Sequence, residues 1–180
     1  MEMQILKSVR DRALTERLWF NALWFQGTWF CCVLGRERWL PLTFAMLGLH
    51  FVLVANPLAE ARRLAPLALA GILVDSLLSL TGVFDFGLGV IVPTWLALLW
   101  VAFATTLNRS LSFLGRHAWL AAAVGGIAVP FNYAVGAKLG AVSFGFSPLL
   151  TAIVLIAVWT ALLPNLYRLA RQPVTEVLKP

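Results

Sequence analysis

Long apolar runs, separated by short polar breaks, dominate the chain. Six such runs cover roughly residues 18–35, 39–55, 64–83, 87–107, 118–139 and 147–167. Each is close to the ~20 residues that an α-helix needs to cross a ~30 Å hydrocarbon layer. The breaks carry Gly, Pro or charged residues, and none is long enough for another domain. The pattern predicts an all-α polytopic membrane protein, a six-transmembrane-helix bundle with short loops.

Two short segments flank the predicted transmembrane domain of residues 18–167. Residues 1–17 alternate apolar and basic positions at helical spacing, which is typical of a basic amphipathic segment. Such a segment would either lie on an anionic membrane surface or act only as a charged leader that fixes topology. Residues 168–180 are expected to form a cytoplasmic tail.

Composition supports the membrane interpretation, because 61% of the residues are hydrophobic, only 12% are charged and the mean hydropathy is +0.85. A soluble domain needs far more polar surface. The net charge of +6 does not indicate nucleic-acid binding, since the basic residues are scattered and form no basic face. Cys31 and Cys32 are neighbours without a second pair, so we expect reduced cysteines, no metal site and no cofactor.

The distribution of Lys and Arg predicts the orientation. With six crossings, one side collects eleven of the 14 basic residues, and the other side holds only Arg36, Arg38 and Lys138. Cytoplasmic segments are the ones that keep positive charge during insertion. We therefore predict a multi-pass protein whose N- and C-termini are both cytoplasmic.

Asp75 is the most informative polar residue. It lies eleven residues beyond Leu64 in the third run, or ~16 Å into the membrane, near the midplane. A carboxyl group at that depth is costly and usually faces a protein interior or a water-filled cavity. This favours a role in handling substrate, ion or proton, with a structural hydrogen bond between helices as the alternative.

His50, in the second run, is the only histidine inside a predicted span. A lone histidine supports neither zinc nor haem. An interhelical hydrogen bond is the favoured interpretation, and proton transfer with Asp75 is the alternative.

The fifth run contains Gly125, Gly126 and Pro130 together with Asn132 and Lys138. Glycines permit close helix approach, and a proline-broken helix with polar side chains is a common way to build a membrane binding site. A tightly packed central helix explains the pattern nearly as well. Depth estimates place Asp75, Thr94 and Asn132 near the midplane or the outer half, and Lys138 could extend inward toward them.

We expect a ligand-binding or polar intramembrane cluster formed by the polar residues of several runs: Asp75, Asn132, Lys138, Thr94, His50, Asn21 and Gln26.

The first run contains "NALWFQGTWFCCVLG", in which two amides lie among many aromatic rings. Asn21 and Gln26 cannot face lipid unpaired, so they are expected to face protein or a ligand. The aromatic side chains suit packing, or the lining of a pocket for an acyl chain or a ring-shaped ligand.

This segment is similar to the N-terminal signature of a bacterial integral-membrane family of unknown function, domain-of-unknown-function family 2878. The matching positions are Asn21, Phe25, Gln26, Trp29, Cys32, Val33, Leu34 and Gly35. The resemblance implies a bacterial inner-membrane location. It also implies a role in lipid modification, because members resemble proteins encoded beside cyclopropane-fatty-acid-synthase-like enzymes.

The favoured function is therefore a non-catalytic membrane protein that binds a membrane lipid or docks a lipid-modifying enzyme at the cytoplasmic face. The alternative is a small-molecule binding or transport protein that resembles the six-helix substrate-binding components of vitamin transporters. An intramembrane enzyme is less favoured, because the sequence shows no nucleophile with its base, no metal set and no phosphate cradle. The oligomeric state stays open.

Overall fold

The computed structural model describes residues 15–87 and 89–171. Within these ranges the chain forms six α-helices, and each overlaps one of the six predicted runs, which confirms the all-α prediction. Residues 1–14 and 172–180 hold most of the two predicted flanking segments and lie outside the described part. The helices are α1 (Leu18–Phe30), α2 (Leu40–Leu53), α3 (Pro57–Leu80), α4 (Thr94–Leu107), α5 (Ala118–Lys138) and α6 (Pro148–Ala170).

Three of these helices, α3, α5 and α6, are long and apolar enough to cross a membrane. Helix α4 is apolar but has 14 residues, and α2 has the same length. At 1.5 Å per residue a 14-residue helix is ~21 Å long, short of the ~30 Å hydrocarbon layer. The structure thus supports three candidate spans among the described residues, and six crossings stay a prediction.

Helix α1 continues as a π-helical turn over Cys31–Gly35 and then a 3-10 turn over Arg36–Trp39. The reversal is tight, because a Cβ at Gly35 would overlap the Trp39 side chain. Arg36 has a positive φ of 46°, and its Nη1 donates a 2.6 Å hydrogen bond to the carbonyl oxygen of Gly140. The end of α1 is thereby attached to the end of α5.

Helix α3 begins at Pro57, seven residues before the predicted start at 64. The Asn56 side chain caps it by accepting a 3.0 Å hydrogen bond from the Ala59 amide, and Pro57 suits the first helical position. The charged stretch "NPLAEARR" was predicted to be a break between helices, and this is wrong. Its last seven residues form the first two turns of α3, in which Glu60 is buried and pairs with Arg63, His50 and Arg109.

Helix α4 begins at Thr94 rather than at the predicted 87. The preceding chain forms a loop with a short strand, β1 (Phe84–Asp85), which pairs antiparallel with β2 (Ser143–Phe144). The register places Phe84 opposite Phe144. Two-residue strands have no detectable alternation of apolar and polar positions, so the sequence did not predict them.

Contacts between distant segments define two ends of the bundle. At the charged end, the Arg109 guanidinium meets Glu16 and Glu60. At the strand end, β1 pairs with β2 and Arg36 meets Gly140. Successive helices therefore run in alternating directions.

Helices α5 and α6 pack closely in the first half of α5. A Cβ at Gly125 would overlap the carbonyl oxygen of Trp159, and one at Gly126 would overlap the Thr160 hydroxyl, which confirms the predicted close approach. Pro130 does not break α5, which is helical from Ala118 to Lys138. Further along, Gly136 is buried, yet an added Cβ would meet nothing within 4 Å. Helix α5 thus leaves space near its C-terminal end.

Candidate functional site

A cavity of about 260 Å³ lies between α1, α4, α5 and α6. None of the described residues that line it is charged. Eight of the 21 lining residues are aromatic, and every one of the four helices contributes at least one ring. These rings include Phe25 and Trp29 of α1, Trp100 and Phe103 of α4, Tyr133 of α5 and Trp159 of α6.

Asp75 lies directly behind this wall and is completely buried. Its Oδ2 accepts a 2.7 Å hydrogen bond from Trp100 Nε1, and its Oδ1 accepts a 2.7 Å hydrogen bond from the Tyr133 hydroxyl. No ion pair joins Asp75 to a basic residue of the described ranges. Asp75 is not itself among the cavity-lining residues. It therefore acts on the cavity by holding two of its wall residues.

The packing around Asp75 explains why these two rings reach it. Gly71 lies one helical turn before Asp75 on α3, and a Cβ there would overlap the Trp100 ring. Trp100 stacks on Trp159, with ring centroids 5.4 Å apart and planes 2° from parallel. Tyr133 stacks on Phe84 of β1, with centroids 4.8 Å apart. Each donor ring is thus held by a hydrogen bond at one edge and by stacking on a face.

Of the residues predicted to cluster with Asp75, only Asn132 lines the cavity. The Asn132 Nδ2 donates to the carbonyl oxygen of Ala128, one turn back on α5. Thr94 and Lys138 are exposed, at the start of α4 and the end of α5. No hydrogen bond or ion pair within the described ranges joins either of them to Asp75. The structure therefore places Asn132 in the cavity lining and Asp75 behind it, and it brings neither Thr94 nor Lys138 to them.

His50 is buried and makes the interhelical hydrogen bond that was favoured for it. Its Nε2 lies 3.1 Å from Glu60 Oε1. Glu60 is 15 residues before Asp75 on α3, which corresponds to ~22 Å along the helix. The alternative, proton transfer between His50 and Asp75, is therefore wrong.

Glu60 is the centre of a charged cluster at the charged end. Its Oε1 also accepts a 2.8 Å hydrogen bond from Arg109 Nη1, and its Oε2 accepts one from Arg63. Arg109 donates from Nε and Nη2 to Glu16, at 3.3 and 2.9 Å. Burial lowers the pKa of Arg109, but the hydrogen bonds and charges of Glu60 and Glu16 outweigh this and raise it above the usual value. We call His50, Glu60, Arg63, Arg109 and Glu16 the Glu60 cluster.

The two amides of α1 have different surroundings. Asn21 is buried, and its Nδ2 donates to Thr105 Oγ1 at 3.2 Å. Its Oδ1 accepts from the backbone amide and hydroxyl of Ser110, at 3.2 and 2.6 Å, so Asn21 faces protein, which is one of the two alternatives predicted for it. Gln26 is exposed and has no hydrogen-bond partner in the described part of the chain. The predicted contact of Gln26 with protein is therefore absent from the described part of the chain, because Gln26 lies on the outer face of α1.

Sequence reasoning missed Trp100 and Trp159 as parts of the site. Both were indistinguishable from aromatic residues that face lipid or pack in a core. One usable signal was Gly71, because a small residue one turn from a buried acid leaves room for a large donor to reach it. As for metals, no group of three His, Cys, Asp or Glu side chains that could hold an ion occurs within residues 15–87 and 89–171.

The fold and the cavity define the class: an all-helical bundle with candidate membrane spans and an aromatic-walled apolar site. The family described as "protein of unknown function (DUF2878)" matches residues 18–165, so the chain belongs to this family. The match extends from the start of α1 into α6, which confirms the resemblance seen in the first run. No curated protein and no solved structure is significantly similar to this chain.

Proposed function

We propose that this protein is a lipid-binding protein of the bacterial inner membrane, which holds the apolar part of a membrane lipid in the aromatic-walled cavity. The observation that carries the proposal is the uncharged lining of that cavity. Ligand sites are typically apolar concavities with a few polar groups, and here the polar residues of the lining are Asn132 and Tyr133. A polar vitamin needs more hydrogen-bonding partners than this lining offers, so the site favours a lipid.

A membrane location is supported by the outer surface of the bundle. Large apolar side chains are exposed on several helices, among them Val52 at 78%, Leu73 at 63% and Ile127 at 75%. Exposed apolar area of this extent marks a contact with membrane or with another protein. Lipid is the solvent that stabilises such a surface without a partner chain.

Six crossings with cytoplasmic termini are part of the proposal. The alternating helix directions support it, and Arg109, which lies between the predicted fourth and fifth crossings, meets Glu16 and Glu60 from two other segments of the predicted cytoplasmic side. The shortness of α4 is consistent with a loop that enters the bundle beside it, since Val83 and Phe84 are 3% and 2% exposed. Irregular backbone is tolerated at membrane depth where protein covers it.

Reporter fusions test this topology. We expect fusions after residue 180 and within residues 108–117 to report a cytoplasmic location, and a fusion within residues 139–147 to report the periplasm. A periplasmic C-terminus would contradict the six-crossing arrangement but would leave the cavity assignment intact.

The cavity assignment is tested by filling the cavity. Gly136 lines it, and an added side chain there meets open space. We expect the purified native protein to carry bound lipid, which is measured by extraction and mass spectrometry. The Gly136→Leu variant should carry about tenfold less lipid than the native protein, because the added side chain occupies the cavity. Gly48→Leu is the matched control, because Gly48 is an exposed helical glycine of α2 with nothing within 4 Å of its added Cβ. Equal lipid content in all three proteins would overturn the proposal.

Docking of a lipid-modifying enzyme is a second proposal, implied by the family resemblance. Exposed arginines at the charged end, such as Arg62, Arg116 and Arg168, support it as a surface for an acidic partner. Bound lipid and a docked enzyme are compatible, because the cavity and this surface are formed by different residues.

A further inference from the structure

We infer that Asn132 is a ligand-binding residue at the mouth of the cavity, and that the bound lipid carries a hydroxyl group that donates a hydrogen bond to Asn132 Oδ1. This inference rests on the proposed lipid-binding function and specifies the chemical class of the ligand.

Asn132 lies where the cavity opens to the outside of the bundle. It is exposed, whereas the other described residues of the lining are buried or partly buried. Its side chain lies along the cavity wall, because its Nδ2 donates a 2.8 Å hydrogen bond to the carbonyl oxygen of Ala128, which also lines the cavity. A molecule that occupies the mouth of the cavity can therefore reach the Asn132 amide.

The Asn132 Oδ1 has no hydrogen-bond partner within residues 15–87 and 89–171. Helix α5 is a candidate membrane span, and Asn132 lies six residues before its end at Lys138, or ~9 Å along the helix. Water is absent from the hydrocarbon layer, so an unpaired amide oxygen at this depth is costly. The oxygen therefore needs a donor that a bound ligand can supply.

A second asparagine in the bundle provides the comparison. Asn165 of α6 is also exposed, and its Nδ2 also donates at 2.8 Å to a carbonyl oxygen four residues back, that of Ala161. Its Oδ1, however, accepts a 3.1 Å hydrogen bond from Arg168 Nη1. Asn165 does not line the cavity. The protein thus supplies a donor to the asparagine away from the cavity, and a ligand is expected to supply it at the cavity mouth.

The acceptor character of Oδ1 limits the chemistry of the ligand. An amide oxygen only accepts, so the group that meets it has to donate a proton, which a carboxylate, an ester or an ether cannot do. An ammonium group would lack a counter-charge, because no described lining residue is charged. An amide N–H would bring its own carbonyl group into an apolar site. A hydroxyl group on an apolar chain or ring adds a single oxygen and supplies the donor.

The test uses two ligands with the same chain, hexadecanol and hexadecyl methyl ether, of which only the alcohol can donate. Each is titrated into delipidated protein in phosphatidylcholine nanodiscs, and the apparent Kd is taken from the shift in thermal unfolding. Partition into the bilayer is the same for every variant. The measured quantity is therefore the preference for the alcohol over the ether, compared between proteins.

Asn132→Leu keeps the size of the side chain and removes the amide. We expect its preference for the alcohol to be about three- to tenfold smaller than that of the native protein, the factor that one hydrogen bond between neutral groups provides. Asn165→Leu is the matched control and is expected to keep the native preference. An unchanged preference in Asn132→Leu, or an equal loss in Asn165→Leu, would overturn the inference.

Asn132→Ala covers the case in which the leucine side chain blocks the mouth or disturbs folding. It also lacks the amide but is smaller, so we expect the same loss of preference as in Asn132→Leu. A native preference in Asn132→Ala would overturn the inference.

Failure of this inference and failure of the proposed function give different results. If both ligands bind and the preference is the same in the native protein and in both Asn132 variants, the role of Asn132 is rejected while lipid binding stands. If neither ligand shifts the unfolding of the native protein, or if Gly136→Leu binds both as tightly as the native protein does, the proposed function itself fails.

Discussion

Helix α3 carries two buried carboxyl groups in contrasting surroundings. Glu60 lies among basic partners, Arg63 and Arg109, and beside His50. Asp75 has two aromatic donors, Trp100 and Tyr133, and no ion pair with a described residue. The first carboxyl group connects the segments at the charged end of the bundle. The second orients the wall of a cavity, so the two acids differ in what they position although both are buried in one helix.

The comparison teaches that burial of an acid is not enough to locate a binding site. A carboxylate with buried cationic partners is neutralised within the protein, and its removal strands those partners. A carboxylate with aromatic donors instead fixes two rings, Trp100 and Tyr133, that both line the cavity. The cavity therefore lies beside Asp75, while the charged end holds α2, α3 and α4 together.

Removal of Glu60 is expected to have the largest effect on stability. Glu60→Ala leaves Arg109 buried with only Glu16, and such an uncompensated charge costs about 3–5 kcal/mol. We expect a correspondingly large fall in the unfolding free energy, measured by denaturant titration in detergent micelles. Glu37→Ala is the control, because Glu37 is exposed on the 3-10 turn after α1. A loss as small as that of the control would show that the Glu60 cluster contributes little.

Two substitutions of Asp75 distinguish the loss of its hydrogen bonds from the loss of its charge. Asp75→Leu strands the Trp100 N–H and the Tyr133 hydroxyl, which is expected to cost about 2–4 kcal/mol and to reduce bound lipid. Asp75→Asn keeps one acceptor oxygen, so we expect it to fold with a loss of about 1–2 kcal/mol while the rings reorient and lipid content falls. Thermal unfolding and lipid content are measured on the same samples. If both variants keep native stability and native lipid, Asp75 does not position the wall.

Gly71→Ala tests the fit between α3 and Trp100. The added methyl group overlaps the Trp100 ring, and overpacking of this kind typically costs about 1–3 kcal/mol. Gly48→Ala should instead be neutral or stabilising by up to about 1 kcal/mol, because its Cβ meets no atom and alanine favours the helix. Opposite signs for the two substitutions are expected in the melting temperature. Equal signs would contradict the close approach of Trp100 to α3.

Substitutions of the two amides of α1, Asn21 and Gln26, are expected to give the smallest difference in unfolding free energy. Asn21→Leu removes the acceptor of Ser110 and is expected to cost about 1–3 kcal/mol. Gln26→Leu changes an exposed side chain and should stay within about 0.5 kcal/mol. Unfolding of both variants in detergent checks this order. A larger loss for Gln26→Leu would indicate a partner for Gln26 outside the described chain.

The sequence predicted the six helices because each apolar run is long and uniform. It failed at the start of α3, where charges that are paired inside the protein had the same appearance as a solvent-exposed break. It also failed at the start of α4, where apolar residues such as Val83 and Phe84 belong to a buried loop. Hydropathy measures how polar a segment is, but it does not show whether the polar side chains find partners inside the protein.

The candidate site was predictable only in part. Asp75 could be identified because an acid in an apolar run requires a partner. Trp100, Tyr133 and Trp159 could not be assigned to it, because aromatic residues in such runs face lipid and protein alike. Thr94 and Lys138 were placed near Asp75 by depth alone, and depth does not determine which side of a helix a residue occupies.

The central claim, that the aromatic-walled cavity holds a lipid, is tested most directly by photocrosslinking in bacterial membranes. Cells grown with a fatty acid that carries a diazirine on its chain are irradiated, and the labelled residues are identified by mass spectrometry. The account predicts labels on cavity residues such as Phe103 and Leu163, and their loss in Gly136→Leu but not in Gly48→Leu. Labels confined to outward-facing residues such as Leu69, Leu73 and Leu77 would contradict it.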